Sequence, residues 1–357
     1  MAKALALAAR GRGSTSPNPP VAAVVVRQHR IVGVGYHQRA GGPHAEVIAL
    51  RQAGVHAAGG TLYVTLEPCC HLDKRTPPCA PLLIRAGLKR VVAATLDPNP
   101  KVYGRSMASL RKAGVITDVG IGRREAEQLI EPYRMRVTRG RPFVTLKVAA
   151  TLDGKIATAG GESRWITSSA ARARVQEVRA QSDAILVGVG TVAVDDPRLT
   201  VRRNRLGKAP LRIVLDPTLR IPIQSKVLSD GKAPTLVIAT RNASASRRAR
   251  LERGGAEVLV LPGRRRRIAW PVLLKELGRR GINSLLIEGG AEINASVLHD
   301  GSVDRVMFFL APRLMGGHDA IGALGGQSPK RLAEMPALKD VTVRRIGPDI
   351  LVEGRLR

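Results

Sequence analysis

The chain has 357 residues, of which 44% are apolar and 3% aromatic, so it is long enough for two cores built mainly from small aliphatic side chains. Basic residues outnumber acidic ones 21 to 8 up to residue 139 and 37 to 20 beyond it, for a net charge of +30. A dedicated nucleic-acid domain usually concentrates its charge, so this spread favours an arginine-rich solvated surface that attracts anionic substrates such as phosphate esters. With no secretory signal and no long apolar run, we expect a cytoplasmic protein without a membrane span.

The first part of the chain alternates strand-like and helix-like segments, which predicts a layered α/β fold. A loop rich in Pro, Cys and His runs from Glu67 to Pro78, and the segment Gly140–Pro142 breaks the pattern. We therefore predict two domains, 1–139 and 142–357. The predicted strands of the first are Val21–Val26, Ile31–Tyr36, Thr61–Leu66 and Val91–Thr95, and its helices are Met1–Arg10, His44–Gly54, Leu82–Gly87, Ser106–Gly114 and Arg123–Arg136.

The second part restarts on a strand and continues as a second α/β domain. Four consecutive arginines, Arg264–Arg267, are interpreted as an exposed loop. The predicted strands are Phe143–Ala149, Ala184–Val189, Leu211–Leu215, Thr235–Ala239, Glu257–Leu261, Ser284–Ile287, Arg305–Leu310 and Asp349–Glu353, and the predicted helices are Ser169–Ala180, Val272–Arg279 and Ala291–His299.

The strongest chemical signal is His44 followed at two residues by Glu46, with Pro–Cys pairs ending at Cys69 and Cys79. Zinc-dependent nucleobase deaminases carry such an H-x-E and P-C pattern. One imidazole and two thiolates give zinc three protein ligands, and a fourth position stays open for a water whose pKa falls towards about 7. Glu46 lies next to a ligand without needing to be one, so it can carry protons from the water to the leaving amine.

Two neighbouring residues compete for the metal. Cys70 follows Cys69 directly and His71 comes next. Side chains of adjacent residues in an extended segment point apart, so we assign Cys69 as the ligand, although thiolate affinity alone does not exclude Cys70.

The two cysteines are ten positions apart, whereas the tRNA and cytidine deaminases place them three apart. Segments Glu67–His71 and Arg75–Cys79, together with Gly41–Glu46 and Asp97–Pro100, resemble the bifunctional riboflavin biosynthesis protein family RibD. The resemblance implies a cytidine-deaminase-like three-layer sandwich that deaminates 2,5-diamino-6-(5-phosphoribosylamino)pyrimidin-4-one. It also implies that the substrate pocket is lined by Asn18, His37, Arg75 and Asp97.

The second domain has no Rossmann fingerprint, but glycines follow two predicted strands at Val187–Thr191 and Glu288–Ala291, where backbone N–H groups can approach a phosphate. Segments Lys147–Lys155, Gly161–Ser168 and Asp195–Arg202 resemble the RibD reductase domain, which has a dihydrofolate-reductase-like fold and uses NADPH to reduce a ribosyl side chain to ribityl.

The same resemblance implies the reductase site. For NADPH it implies Ala149, Trp165, Thr191, Asp195 and the segment Gly290, Ala291, Glu292, Ile293, Asn294, Ala295 and Ser296. For the substrate it implies Lys147, Ser163, Arg179, Leu199, Arg202 and Glu288. On charge grounds we expect Arg179 and Arg202 to fork onto a phosphate monoester, with Ser163 adding a hydroxyl donor.

Two other functions stay open on the sequence. A polynucleotide deaminase would suit the positive charge, but the cysteine spacing and the reductase-like second half argue against it. A nucleic-acid-binding protein with structural zinc would want four protein ligands. We expect a small phosphorylated pyrimidine as the partner, no specific nucleic acid and no membrane, with a homo-oligomer compatible with the sequence.

Overall fold

The computed structural model describes residues 1–70, 77–202, 208–264 and 267–356. The chain divides into two compact units, Met1–Arg141 and Pro142–Arg357. No helix in the described ranges has the length and apolar character needed to cross a membrane.

The first unit is built on a five-stranded sheet of order β2-β1-β3-β4-β5. Strand β1 is antiparallel to β2 and β3, whereas β3, β4 and β5 are parallel. Its elements are α1 (Ala2–Ala9), β1 (Ala22–Arg27), β2 (Arg30–Tyr36), α2 (Ala45–Ala53), β3 (Thr61–Val64), α3 (Cys79–Arg85), β4 (Arg90–Ala93), α4 (Arg105–Lys112), β5 (Ile116–Val119), α5 (Arg123–Leu129) and α6 (Glu131–Arg139).

Helices cover both faces of this sheet. Apolar residues of α2, α3 and α4 pack on one face, and those of α1, α5 and α6 pack on the other. Glycines allow α2 to lie close on the sheet, because a Cβ on Gly35 would stand 2.3 Å from the carbonyl oxygen of Ala45. The predicted three-layer α/β sandwich is confirmed.

Two local predictions for this unit were wrong, and one strand was missed. Helix α3 starts at Cys79 rather than Leu82, because Pro78 has the extended conformation of an N-cap residue. The predicted helix Arg123–Arg136 is two helices, since Ile130 leaves helical geometry (φ −96°, ψ 5°). Strand β5 was missed because none of its residues is buried, which removes the apolar alternation.

The second unit has a nine-stranded sheet of order β11-β10-β9-β8-β14-β6-β15-β18-β17, parallel from β11 to β15. Its elements are β6 (Phe143–Thr151), β7 (Lys155–Ala157), α7 (Ser169–Ala180), β8 (Ala184–Gly188), α8 (Val189–Asp195), β9 (Leu211–Leu215), α9 (Lys226–Ser229), β10 (Thr235–Thr240), α10 (Ala245–Arg253), β11 (Glu257–Leu261), β12 (Gly263–Arg264), β13 (Arg267–Ile268), α11 (Trp270–Arg279), β14 (Ser284–Ile287), α12 (Ala291–His299), β15 (Arg305–Ala311), β16 (Ile321–Gly322), β17 (Lys339–Ile346) and β18 (Asp349–Arg355).

This sheet is also covered on both faces. One core includes α11 and α12, and another includes α8 and α10. Helix α10 was missed because Leu251 is its only buried residue, and strand β17 was missed because it buries none. Strands β6, β14 and β8 are adjacent and parallel, so their carboxyl ends meet at one edge of the sheet.

Two candidate active sites

The three predicted zinc ligands converge in the first unit. His44 Nδ1 lies 3.5 Å from Cys69 Sγ and 3.3 Å from Cys79 Sγ, and all three ligand atoms lie within 4.8 Å of one another. His44 is the N-cap residue of α2, and Cys79 is the first residue of α3. Cys69 is held against the start of α3, because its carbonyl oxygen accepts the N–H groups of Cys79 and Ala80.

This donor set fits zinc. Tetrahedral bonds of about 2.3 Å to sulfur and about 2.0 Å to nitrogen place the two atoms about 3.6 Å apart, close to the observed separations. The amino termini of two helices at the site also favour thiolates over thiols. Among the described residues the cluster has three protein donors, which is the number found in catalytic zinc sites.

Glu46 lies in the first turn of α2, two residues after His44, and is only 3% exposed. Burial, and then the nearby Cys69 sulfur, raise the pKa of its carboxyl, while a hydrogen bond with Cys79 opposes this. A buried carboxyl beside the metal ligands, with its pKa raised, is suited to accept and return a proton.

His37 and Asn18 form one wall beside the zinc ligands. The His37 ring is 3% exposed, stands edge-on to the His44 ring at 5.5 Å, and has its Nδ1 3.0 Å from the carbonyl oxygen of Pro43. Its Nε2 lies 3.3 Å from Asn18 Nδ2. Burial lowers the pKa of His37, so the neutral ring donates from Nδ1 to Pro43 and accepts from Asn18 at Nε2.

Glu67 is a site residue that the sequence reasoning missed as such. It directly precedes Pro68–Cys69, is 3% exposed, and its two oxygens accept five hydrogen bonds of 2.8 to 3.4 Å. The donors are the backbone N–H groups of Asp97, Gly104, Ser106 and Met107 and the Ser106 hydroxyl. Glu67 therefore fixes the Cys69 loop to the start of α4 and to Asp97.

Asp97 lies at this junction with its carboxyl buried. Its Oδ1 accepts the backbone N–H of Asn99 at 2.9 Å and the Tyr133 hydroxyl at 3.1 Å. Burial raises the pKa of Asp97 to about 6, against the two hydrogen bonds that lower it. Of the remaining predictions near this site, Arg75 and the rival ligand His71 fall outside the described residues, and Cys70 is half-buried and not part of the ligand cluster.

The second site forms around a charged cluster at the shared edge of β6 and β14. Glu288 follows β14 and accepts two hydrogen bonds from Arg179 of α7, at 2.6 and 2.9 Å. Lys147 of β6 lies 3.6 Å from the same carboxylate. Burial would raise the pKa of Glu288, but Arg179 and Lys147 lower it to about 2. Burial lowers the pKa of Lys147, and Glu288 opposes that shift.

This cluster corrects one expectation. The two N–H groups of Arg179 that were expected to fork onto a phosphate donate to Glu288 instead. With all three side chains ionised, the cluster carries one net positive charge in a largely buried position. The net positive charge of the cluster can therefore still attract an anionic ligand, although the two N–H groups of Arg179 are already bonded to Glu288.

Two helix N-termini meet beside this cluster. Helix α8 begins after Gly188, and helix α12 begins after Gly290. A Cβ on Gly289 would stand 2.7 Å from Ile293 of α12, and one on Gly290 would stand 3.9 Å from the Thr191 hydroxyl of α8. Unpaired N–H groups at such helix starts suit the pyrophosphate of a dinucleotide, so the predicted glycine segments fit NADPH.

The later residues of the α12 segment have structural contacts. Asn294 is fully buried and donates to the carbonyl oxygen of Ala323 at 2.9 Å, and the Ser296 hydroxyl accepts from Trp270 at 3.0 Å. Only the first part of the predicted segment, Gly290–Glu292, lies at the open start of the helix.

The remaining predicted residues are placed as follows. Ser163 donates to Asp195 at 2.9 Å, and Trp165 is 56% exposed with the Arg172 guanidinium 4.6 Å from its ring centre. Ala149 lies two residues after Lys147 on β6, so the two share one face of the strand. Leu199 is buried, and Arg202 is exposed with its backbone N–H bonded to Gln176 at 3.0 Å.

Comparisons with known proteins agree with both sites. The family described as "Cytidine and deoxycytidylate deaminase zinc-binding region" matches residues 1–95, and "RibD C-terminal domain" matches residues 142–352. "Riboflavin biosynthesis protein RibD" of Aquifex aeolicus is 46% identical over 99% of this chain and 96% of its own.

Two solved structures are similar over almost the whole chain. RibD of Acinetobacter baumannii (form 1) has a TM-score of 0.91 at 38% identity, covering 99% of this chain and 97% of that one. A diaminohydroxyphosphoribosylaminopyrimidine deaminase/5-amino-6-(5-phosphoribosylamino)uracil reductase from Thermotoga maritima has a TM-score of 0.87 at 35% identity, with the same coverage.

The fold and the two sites define a two-unit enzyme with a zinc-binding deaminase unit followed by a reductase unit of the NADPH-dependent type. The chain belongs to the RibD family of bifunctional deaminases and reductases of riboflavin biosynthesis.

Proposed function

We propose that the first unit hydrolyses the amine from a phosphoribosylated diaminopyrimidinone and that the second unit then reduces its ribosyl side chain to ribityl. The convergence of His44, Cys69 and Cys79 beside buried Glu46 carries the first half of this proposal. The two activities for which the Thermotoga maritima relative is named support both halves. The segment Gly140–Pro142 separates the unit proposed for deamination from the unit proposed for reduction.

In the deaminase, His44, Cys69 and Cys79 would hold zinc, which when bound supplies the Lewis acidity that lowers the pKa of a water to about 7. Glu46 takes the proton of that water and delivers it to the departing amine, so that water adds to the ring carbon and ammonia leaves. Asn18, His37, Arg75 and Asp97 bind the substrate.

In the reductase, the starts of α8 and α12 would hold the pyrophosphate of NADPH, which when bound supplies a hydride. The residues proposed for NADPH are Ala149, Trp165, Thr191, Asp195 and the segment Gly290–Ser296, of which Gly290–Glu292 lie at the open start of α12. Lys147 is proposed to supply a proton to the substrate; its ion pair with Glu288, which Arg179 also binds, supports this because it holds the ammonium group in position. Ser163, Leu199 and the exposed Arg202 complete the substrate side.

The partner is proposed to be this small phosphorylated pyrimidine, with no specific nucleic-acid site, because the positive charge is spread over both units. A cytoplasmic location suits three free cysteines, two of which form the metal cluster. The exposed edge strand β17 is compatible with a homo-oligomer. Light scattering and salt-dependent RNA binding test the oligomer and the nucleic-acid proposals.

Glu46→Gln tests the assignment of two separate sites. The variant is nearly isosteric and Glu46 is not a ligand, so it should keep zinc but lose ammonia release by about 10²-fold or more. It should still oxidise NADPH when given the deaminated ribotide. Arg202→Ala is the reciprocal control, because it should weaken NADPH oxidation and spare ammonia release. If Glu46→Gln silences NADPH oxidation on the deaminated ribotide while the protein stays folded, the separation of the sites is wrong.

A further inference from the structure

Helix α6 lies outside the segment that this chain shares with cytidine deaminases. The matched zinc-binding region ends at residue 95, before Asp97 and well before α6. His44, Glu46, Cys69 and Cys79 all fall inside that region, so the metal chemistry is common to the wider class. Of the residues proposed to bind the substrate, Asn18, His37 and Arg75 also fall inside it, whereas Asp97 lies beyond it.

Tyr133 of α6 forms a hydrogen bond with Asp97. Its ring is 8% exposed and packs in the cluster that contains Ala22 and Leu66, which anchors the side chain between the sheet and α1. Its hydroxyl donates to Asp97 Oδ1 at 3.1 Å, 36 residues away in sequence. Oδ1 also accepts from Asn99, so among the described residues both hydrogen bonds to this carboxyl fall on one oxygen.

That arrangement orients Asp97. With Oδ1 held by two donors, rotation of the carboxyl is restricted and Oδ2 is left to accept from a ligand. A carboxylate whose orientation is already fixed binds a ligand more tightly than one that rotates, because no conformational freedom is lost when the ligand binds. The Tyr133 ring itself packs in the apolar cluster, and its hydroxyl interacts with Asp97 and with the neighbouring Asn99, so it acts on the site through the Asp97 segment.

A second residue of α6 contacts the segment that carries Asn18. Arg136, one turn after Tyr133, donates from Nη2 to the carbonyl oxygen of Pro17 at 3.3 Å. Pro17 directly precedes Asn18, whose side chain meets the Nε2 of His37. Successive turns of one helix thus support the Asp97 and Asn18 sides of the pocket.

We infer that Tyr133 is a positioning residue that sets the substrate affinity of the deaminase by fixing the Asp97 carboxyl, and that α6 is the element that adapts a common zinc site to this substrate. The inference rests on the proposed function, since it takes Asp97 to contact the substrate.

The test is a double-mutant cycle on the full chain with zinc, following ammonia release from the diaminopyrimidinone ribotide. Tyr133→Phe removes only the hydroxyl and keeps the packed ring. It should raise KM about tenfold, as expected for the loss of one hydrogen bond to a carboxylate, with kcat and zinc content nearly unchanged. Tyr63→Phe, on a half-buried tyrosine of β3, is the matched control and should behave as the parent protein.

Measurements in the Asp97→Asn variant separate the proposed substrate role of Asp97 from the positioning role of Tyr133. Asp97→Asn alone should raise KM, and adding Tyr133→Phe to it should then change little, because the hydroxyl works through Asp97. If Asp97→Asn leaves KM unchanged, the proposed substrate role of Asp97 is wrong. If Asp97→Asn raises KM but Tyr133→Phe has no effect, has an additive effect, or costs zinc or thermal stability instead, the positioning role of Tyr133 is wrong while the proposed function stands.

Discussion

Replacing Glu288 with Gln should destabilise the reductase unit far more than removing an ordinary surface charge. The carboxylate is 9% exposed and lies between Arg179 and Lys147, which are 17% and 15% exposed. Its pKa is lowered from 4.5 to about 2. At about 1.4 kcal/mol for each pKa unit, the ionised form gains about 3 kcal/mol from its neighbours at neutral pH. A neutral amide would also leave two buried cations without a counter-charge.

Tryptophan fluorescence measures this in the intact protein, because both tryptophans, Trp165 and Trp270, belong to the second unit. Urea unfolding at pH 7 should show Glu288→Gln less stable by about 3 kcal/mol. Glu177→Gln is the matched control: its side chain is 62% exposed and pairs with Arg174, so the change should cost less than about 1 kcal/mol. Ammonia release should be normal in both variants.

The pH dependence has a definite sign. Since the folded pKa of Glu288 lies below its ordinary value, its contribution is fully present above about pH 4.5 and is lost as the pH falls towards 2. The difference between the parent and Glu288→Gln should therefore shrink in acid. A difference that stays the same between pH 7 and pH 3, or a Glu288→Gln variant as stable as Glu177→Gln at pH 7, would refute this reasoning.

Two further outcomes are expected at the deaminase site. Cys79→Ser should lose zinc and deamination together, whereas Cys70→Ser should lose neither, and metal analysis giving the reverse pattern would contradict the ligand assignment. Because burial raises the pKa of Asp97 to about 6 and its carboxylate is proposed to accept from the substrate, kcat/KM for ammonia release should fall below about pH 6. Asp97→Asn should abolish that acidic limb, and a limb that persists unchanged in the variant would assign it to another group.

The cluster of His44, Cys69 and Cys79 could be predicted from sequence, partly because His44 and Cys79 lie at helix starts that the local sequence marks. Pro43 and Pro78 precede His44 and Cys79, and proline restricts its own backbone to conformations that suit the residue before a helix. The ligand types are also limited to the few that zinc accepts. The residue types, their spacing and the local backbone conformation together left few alternative sets of zinc ligands.

The supporting contacts could not be predicted, because they join residues far apart in sequence. Tyr133 reaches Asp97 across 36 positions, and Arg179 reaches Glu288 across 109. We expected Arg179 to bind a phosphate, because the local sequence around an arginine does not show whether it binds a ligand or forms an internal ion pair. The partner depends on the strand order β8-β14-β6, which local sequence patterns do not specify.

Only a small part of the chain's net positive charge takes part in the contacts within the two sites. In the deaminase, the sulfurs of Cys69 and Cys79 lie beside the His44 ring, and the buried carboxyl next to them, Glu46, is acidic. In the reductase, Lys147 and Arg179 exceed Glu288 by one charge. The remaining excess of the +30 chain therefore lies away from these contacts. Salt should screen that outer field and slow the capture of phosphorylated substrates, while the short buried contacts within each site persist.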